Sequence, residues 1–358
     1  MLDDGTLVVD SVSHCFNHTP ENHKHENAQR WDDETFDLGN KLLPDSHVPS
    51  EEVFYRDHSP EELAQLLFLE SQIDYTVYHS LPLDDYFHDG YVSREKGFTF
   101  REQNPNRVGM YVDINPLEDD AVEQVEHFVK EKDVDGIKLY PARYQNGQDL
   151  SLQLNERSVQ PILDKADDLD VDTVAIHKFI PFAKAPTKYF RINDVEEAAN
   201  KYPNLNFEVI HVGFSFLEET IWAMASNDNV YANLENSACL VNTRPRKFAK
   251  IMGELLYWVG SDRVLFASGA TALHPQPPIE GIWNMEMPEE LQAQYDYPEI
   301  TKDDKKNILG RNGLELLGKD PDQVRRDIKN DRWAKAREEL DQYPAEPWST
   351  YEVPAPQP

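Results

Sequence analysis

The sequence predicts an α/β chain folded as a (β/α)8 TIM-type barrel. Three observations lead there: the length of 358 residues, a series of short apolar runs, and helical stretches between those runs. A barrel of this kind takes roughly 250 residues, so the chain holds one barrel with long insertions. The apolar runs are rich in Val, Ile, Tyr and Phe and too short for buried helices, while the segments between them carry amphipathic helical spacing. That alternation is the signature of βα units laid into a parallel sheet.

Eight strands are expected, at residues 7–12, 73–79, 108–114, 136–140, 171–177, 206–211, 229–235 and 263–268. Helices are expected at 59–72, 117–131, 156–169, 194–201, 216–225 and 246–259. The first opens with Ser59-Pro60-Glu61-Glu62, a hydroxyl cap followed by proline and acids, which suit the free amides of a first turn. No glycine-rich phosphate loop follows the first strand, and eight units close a barrel, so an open doubly wound sheet is disfavoured. Two insertions break the rhythm, residues 13–58 after strand one and residues 276–299 after strand eight. Both leave strand ends on the face where barrel enzymes keep their active sites, and both are expected to line the mouth. Residues 1–318 are read as the barrel with its insertions, and 319–358 as a C-terminal helix at 321–340 followed by a loosely held proline-rich end.

Acidic residues outnumber basic ones 66 to 35, for a formal charge of -31, and the excess is spread along the whole chain. Such a field repels nucleic acid and anionic lipid, so neither is expected as a partner. An acidic, lysine-poor surface stays hydrated in concentrated salt, where repulsion is screened to about 3 Å at 1 M, and a halophilic source is expected, with an ordinary acidic cytosolic enzyme as the alternative. Cys15 and Cys239 form no CxxC pair, which excludes a disulfide framework and a thiolate zinc site and suits the cytoplasm. The opening MLDDGTLVVD has no basic region before its short apolar run, and no segment approaches 18 consecutive apolar residues, so neither a signal peptide nor a membrane span is expected. A small-molecule substrate is the expected partner. A homodimer is expected from the habit of barrels to pair through outer helices, with no particular face marked.

Histidine placement points to chemistry. His79, His177 and His211 each end a predicted strand, His14 stands two residues past the first, and His274 follows the eighth. A barrel turns all strand C-termini toward one axis, so these rings converge. Imidazoles with a carboxylate make divalent-metal sites, and Glu235, ending the NVYANLE run, is the candidate carboxylate. The competing reading of any one such histidine is a hydrogen-bonded core residue, and that of Glu235 is an ion pair with Arg244 or Arg246. Lys138 in GIKLYP is either a desolvated base or nucleophile able to capture carbon dioxide, or the ion-pair partner of Asp113 or Glu235. His18, His23 and His25 read as solvated loop residues. Phe16, Tyr86, Phe87 and Trp283 serve equally as an apolar substrate pocket or as core packing.

The segments VVDSVSHCFN, DGIKLYP, VAIHKFIP, FEVIHVGFSFLEET, NVYANLE and DRVLFASGATALHPQP follow one another between residues 7 and 317. In them the chain resembles the amidohydrolase superfamily, in the amidohydrolase-related branch that includes aminocarboxymuconate-semialdehyde and resorcylate decarboxylases. The resemblance implies a distorted (β/α)8 barrel holding one or two divalent ions. His14 matches the second histidine of a D-x-H-x-H motif, His177 and His211 match the strand-five and strand-six ligands, and Lys138 stands where binuclear members carry a carboxylated lysine. Val12 replaces the motif's first histidine, and Gly269 replaces the aspartate that takes a proton from metal-bound water of pKa near about 7. Either Glu235, Glu219 or His274 substitutes for that base, or the chemistry differs.

The expected metal ligands are His14, His177, His211 and Glu235, around zinc, iron or manganese. Glu235, Lys138 and His274 are the expected catalytic groups, and His79, Lys138 and His274 the expected substrate-binding ones. The first functional expectation is a hydrolase using metal-activated water on a small organic substrate. The alternatives are a metal-dependent decarboxylase or a non-haem (di-)iron hydroxylase, and a non-catalytic barrel that lost its metal with Val12 and Gly269.

Overall fold

The computed structural model describes residues 2, 5–182 and 185–350. Ten strands form, β1 (Val9–Ser13), β2 (Tyr75–His79), β3 (Val108–Asp113), β4 (Gly136–Leu139), β5 (Ala142–Gln145), β6 (Gln148–Ser151), β7 (Thr173–His177), β8 (Asn206–Ile210), β9 (Val230–Asn233) and β10 (Val264–Leu265). Eight of them run parallel in the order β1-β2-β3-β4-β7-β8-β9-β10, and β5 and β6 make a separate hairpin. All eight expected strands are present, and the hairpin after β4 is an addition.

The sheet closes into a (β/α)8 barrel. Ser13 bridges Ala270 in parallel, the Ser11 amide donates to the Phe266 carbonyl at 3.0 Å, and the Gly269 amide donates to the Val12 carbonyl at 3.1 Å. The seam is reinforced from inside, because buried Asp10 accepts from the Ser268 amide at 2.8 Å and the Ser268 hydroxyl at 2.5 Å. Burial pushes the Asp10 carboxyl up to about 7, against the lowering effect of those Ser268 bonds. β10 is shorter than expected because its chain turns outward for partners, the Phe266 amide bonding the Ile308 carbonyl at 2.9 Å.

The expected helices form within a few residues of their predicted bounds, the first as Pro60–Phe68 with Ser59 and Glu62 in a reciprocal capping box. An unforeseen helix, Arg94–Gln103, joins β2 to β3. Its contact with the sheet needs Gly97, where a Cβ would meet the Tyr78 ring at 2.5 Å. No helix among the described residues is long and apolar enough to cross a membrane.

The 13–58 insertion contains a 17-residue helix, Glu26–Leu42, that buries Ala28, Trp31, Asp32, Gly39 and Leu42 on one face. Asp32 anchors it, accepting from His18 Nδ1 at 2.8 Å and from His23 Nε2 at 2.6 Å. His18 is therefore a buried anchoring residue and not the solvated loop residue expected. The 276–299 insertion forms helices Gln276–Asn284 and Glu289–Tyr295, and it supplies no residue to the wall of the mouth cavity. Its expected role there is corrected: the main-chain carbonyl of Trp283 is tied outward to Lys305 at 2.9 Å.

The expected single helix at 321–340 is two, Pro321–Ile328 and Arg332–Glu339. The break falls at Asp331, whose carboxylate caps the second helix at Ala334 and also binds Arg107 Nη2 at 3.0 Å. Trp333 fastens this segment to the barrel, buried against Phe68, with Nε1 donating to Asn104 at 2.6 Å. The expectation of a loose proline-rich end falls on residues 351–358, outside the described residues. Replacing Trp333 with alanine should lower unfolding free energy by about 3–5 kcal/mol, the usual cost of emptying a buried tryptophan site. Urea denaturation of the two proteins measures it, and an unchanged midpoint would show that the C-terminal helices are not part of the barrel's folding unit.

Candidate metal centre

The side chains at the mouth are fixed from the backbone upward. His177 is the last residue of β7 and His211 follows β8, so neighbouring strands set them side by side. His211 has φ of +70°, an uncommon conformation for a residue with a Cβ and one typical of functional positions. His177 Nε2 bonds the Ile180 carbonyl at 2.7 Å, and His211 Nδ1 bonds the Glu235 carbonyl at 3.3 Å. With protons assigned to satisfy those carbonyls, the nitrogens left over are His177 Nδ1 and His211 Nε2, and they face each other at 3.1 Å. His14 repeats the pattern, with Nδ1 on the His79 carbonyl at 2.8 Å and Nε2 at 3.6 Å from Glu235 Oε1.

Glu235 completes the group, its Oε2 lying 3.7 Å from His211 Nε2. Its amide is held by Asn233 Oδ1 at 2.8 Å, and Oε2 has no hydrogen-bond partner although buried. Burial works against ionising this carboxyl, but positive charge placed among His211, His14 and Lys138 outweighs it and lowers its pKa, so with the rings neutral it is Lys138, or a cation between the rings, that keeps it ionised. Burial lowers the pKa of His14 and His211 and takes that of His177 far down, so the rings are neutral electron-pair donors. Arg246 pairs instead with Glu290, and neither Arg244 nor Arg246 reaches Glu235 in an ion pair.

Two neutral imidazoles with lone pairs facing at 3.1 Å repel unless a cation or proton lies between them, and their depressed basicity disfavours the proton. Ligand atoms about one ion with bonds near 2.1 Å stand roughly 3.0–3.4 Å apart, close to the separations of 3.1, 3.6 and 3.7 Å found here. The donor set therefore fits a divalent ion. It is pre-placed, not pre-assembled: among the described residues no group of three or more His, Cys, Asp or Glu side chains is arranged to hold an ion as it stands.

Gly269 has φ of +76°, and a Cβ there would come within 2.9 Å of Glu235 Oε1 and 2.8 Å of Asn236 Oδ1. The Glu235 carboxylate lies in the space that a side chain at 269 would enter.

These groups open into a cavity lined by His14, His177, His211, Glu235 and Lys138 on the polar side. Phe16, Trp31, Tyr91, Tyr140, Phe182 and Leu273 supply much of the apolar wall. Trp31 and Phe182 stack with centroids 5.0 Å apart. The loop carrying Phe182 is anchored by a buried ion pair, Lys178 to Asp194 at 2.6 Å. Lys138 is buried and among the described residues makes no ion pair, Asp113 being taken by Arg143 at 2.7 Å. Burial lowers the Lys138 pKa, opposed by Glu235, Asp113 and Glu208.

Of the other predicted site residues, His79 is buried outside the cavity wall, offering its carbonyl to His14 while both ring nitrogens lack hydrogen-bond partners. His274 is not at the mouth. It is buried against Trp348 and His47, with Nε2 3.4 Å from Glu70, and this corrects its expected catalytic and substrate roles. Glu219 is also elsewhere, paired with Arg191. Tyr86, Phe87 and Trp283 do not line the cavity, whereas Phe16 does. Sequence reasoning missed Trp31, Tyr91, Tyr140 and Phe182. Tyr140 was within reach, being two residues from Lys138 and thus on the same face of the strand expected over 136–140.

The fold is a (β/α)8 barrel with imidazoles and a carboxylate gathered at its mouth. The chain belongs to the amidohydrolase family, whose model matches residues 98–319. No curated protein matches the chain by sequence. Among solved structures, an uncharacterised TIM-barrel protein from Bordetella bronchiseptica is similar with a TM-score of 0.60 and 15% identity, covering 87% of this chain and 98% of its own. A dihydroxybenzoic acid decarboxylase from Polaromonas sp. JS666, with bound manganese and 2-nitroresorcinol, gives 0.56 and 16% over 87% and 97%. A probable 2-pyrone-4,6-dicarboxylic acid hydrolase from Acinetobacter baumannii, with citric acid bound, gives 0.55 and 13% over 87% and 99%.

Beneath the site, burial pushes the Glu208 carboxyl from 4.5 up to about 8, although Asn233 hydrogen-bonds it. The folded chain keeps a proton there that the unfolded chain has released, so this group costs stability as pH rises from about 4.5 to about 8 and no further above that. Glu208→Gln removes the cost. The variant should gain on the parent across that window by at most about 1.4 kcal/mol per pH unit, read from denaturation curves at several pH values; parallel pH dependences would contradict the assignment.

Proposed function

We propose that the chain is a metal-dependent enzyme acting on a small, mostly apolar organic acid, with His14, His177, His211 and Glu235 holding one divalent ion of the manganese type. The observation that carries this reading is the pair of imidazole lone pairs, His177 Nδ1 and His211 Nε2, turned toward each other beside the buried carboxylate of Glu235. Bound there, a divalent ion supplies Lewis-acid polarisation of a substrate oxygen or activation of water.

The remaining steps fall to the chain's own residues. Trp31, Phe16 and Phe182 receive the apolar body of the substrate and exclude water from it. The Lys138 ammonium, which makes no ion pair among the described residues, draws an anionic oxygen of the substrate into the polar side of the cavity. Tyr140, whose hydroxyl lies 3.4 Å from a His177 nitrogen already bonded to Ile180, has its proton available for the same oxygen.

Decarboxylation suits this wall better than hydrolysis. Gly269 offers no base for water, Glu235 is engaged between His14 and His211, and the apolar lining excludes water. Manganese-bound decarboxylases among the structural neighbours support that preference. Hydrolysis is the second reading, favoured by the buried and unbonded Glu235 Oε2, which can take a proton if Glu235 is not a ligand.

Metal-free protein titrated with manganese should bind one ion per chain and melt at a higher temperature when loaded, the shift growing with metal concentration. His177→Ala and Glu235→Ala should each weaken binding by about 10–100-fold or more, in line with losses seen when metal sites are altered. Carbon dioxide release from a panel of aromatic and unsaturated acids, set against hydrolysis of lactones and amides, separates the two reactions. A parent protein that neither binds a divalent ion nor gains in melting temperature would remove the enzymatic reading altogether.

A further inference from the structure

The cavity wall contains a polar side chain to which the proposed chemistry gives no part. Asn236 follows Glu235 directly, just past the end of β9, and lines the cavity beside it. Its backbone has φ of +61° and ψ of -41°, a combination outside the left-handed helical region that asparagine visits readily. Main-chain ties on both sides force the turn. The Ser237 amide donates to the Glu235 carbonyl at 2.6 Å and the Ala238 amide to the Leu234 carbonyl at 2.8 Å, while the buried Ser237 hydroxyl donates to the Val212 carbonyl at 2.6 Å. Backbone strain that its surroundings over-determine gathers at functional sites. A turn serving the main chain alone would be met at least cost by glycine, so what the strain places here is the asparagine side chain.

That side chain has no partner. Among the described residues the Asn236 amide makes no hydrogen bond. Its Oδ1 lies over Gly269, beside Glu235 Oε1: a Cβ at 269 would stand 2.8 Å from the one and 2.9 Å from the other. With two acceptor oxygens over one point, the Nδ2 donors occupy the branch of the amide turned away from the carboxylate, and they are left for a ligand. Lys138 ends the neighbouring polar stretch of wall on β4, with β7 and β8 between it and β9. An acid with a second oxygen is thus offered two holds, an ammonium at one and an amide at the other. A neutral donor suits the place next to Glu235, since a cation there would compete with the divalent ion for the carboxylate and an anion would repel the acid.

We infer, on the metal-dependent reading of this site, that Asn236 is a substrate-binding residue whose Nδ2 donates to the carboxylate of the bound acid. It selects carboxylic acids over neutral compounds of the same shape.

Calorimetric titration of the manganese-loaded full chain tests this, with salicylate as the acid and 2-isopropylphenol as a neutral compound of similar shape. The parent should prefer salicylate. Asn236→Gly suits the backbone and Asn236→Ala keeps its strain, so the two differ in melting temperature while both lack the amide. Both should bind manganese as the parent does, and both should bind salicylate about 10–100-fold more weakly, the loss of one hydrogen bond to a charged group. Their affinity for 2-isopropylphenol should stay at the parent's value. Salicylate affinity unchanged in Asn236→Gly, a loss that follows melting temperature instead of the amide, or equal weakening of both compounds would each overturn the inference and leave the metal-site reading standing. So would a loaded parent with no preference for salicylate. A parent that takes up no manganese would overturn both.

Discussion

Closure of the barrel at the junction of its first and last strands is the constraint on which the rest depends. β10 contributes only Val264–Leu265 to the ladder, so the seam is held largely by Asp10 gripping Ser268 and by single main-chain bonds from the Ser11, Gly269, His14 and Thr271 amides. Two residues of the mouth come directly off this seam. His14 lies just beyond β1, and its amide is fixed by the Ala270 carbonyl at 2.5 Å; Gly269 sits one residue past Ser268 and faces Glu235. An unclosed sheet would leave His14 on one edge and His211 well inside, with no common centre.

The strands were legible because their hydrophobic runs are continuous on both faces, as a buried parallel sheet demands. His14, His177, His211 and Glu235 were legible because a closed barrel converts a strand's end into a point near its axis, whatever the distance along the chain. His274 escaped the same logic. Its strand ends early, and the chain after Ala270 turns outward, which carries the ring to Glu70 and Trp348. Position relative to a predicted strand end says little once the strand is only two residues long.

The cavity wall was less legible for a different reason. Helix Glu26–Leu42 does carry a helical period in Ala28, Trp31, Gly39 and Leu42, but the many charged and amide side chains between them make the segment as polar as a surface loop. Its tertiary anchors are polar as well, since His18 and His23 clasp Asp32 across a buried carboxylate, and no pattern of apolar residues announces such a clasp. Trp31 reaches Phe182 only because that helix is held down on one side and the Lys178–Asp194 pair restrains the loop on the other.

Gly269 looks, in a column of aligned residues, like a deletion of chemistry. In space the position is taken: the Glu235 carboxylate lies over a residue with no side chain to displace it. The two sites are locked together, because neither an acid at both nor a hydrogen at both leaves a single carboxylate beside His14 and His211.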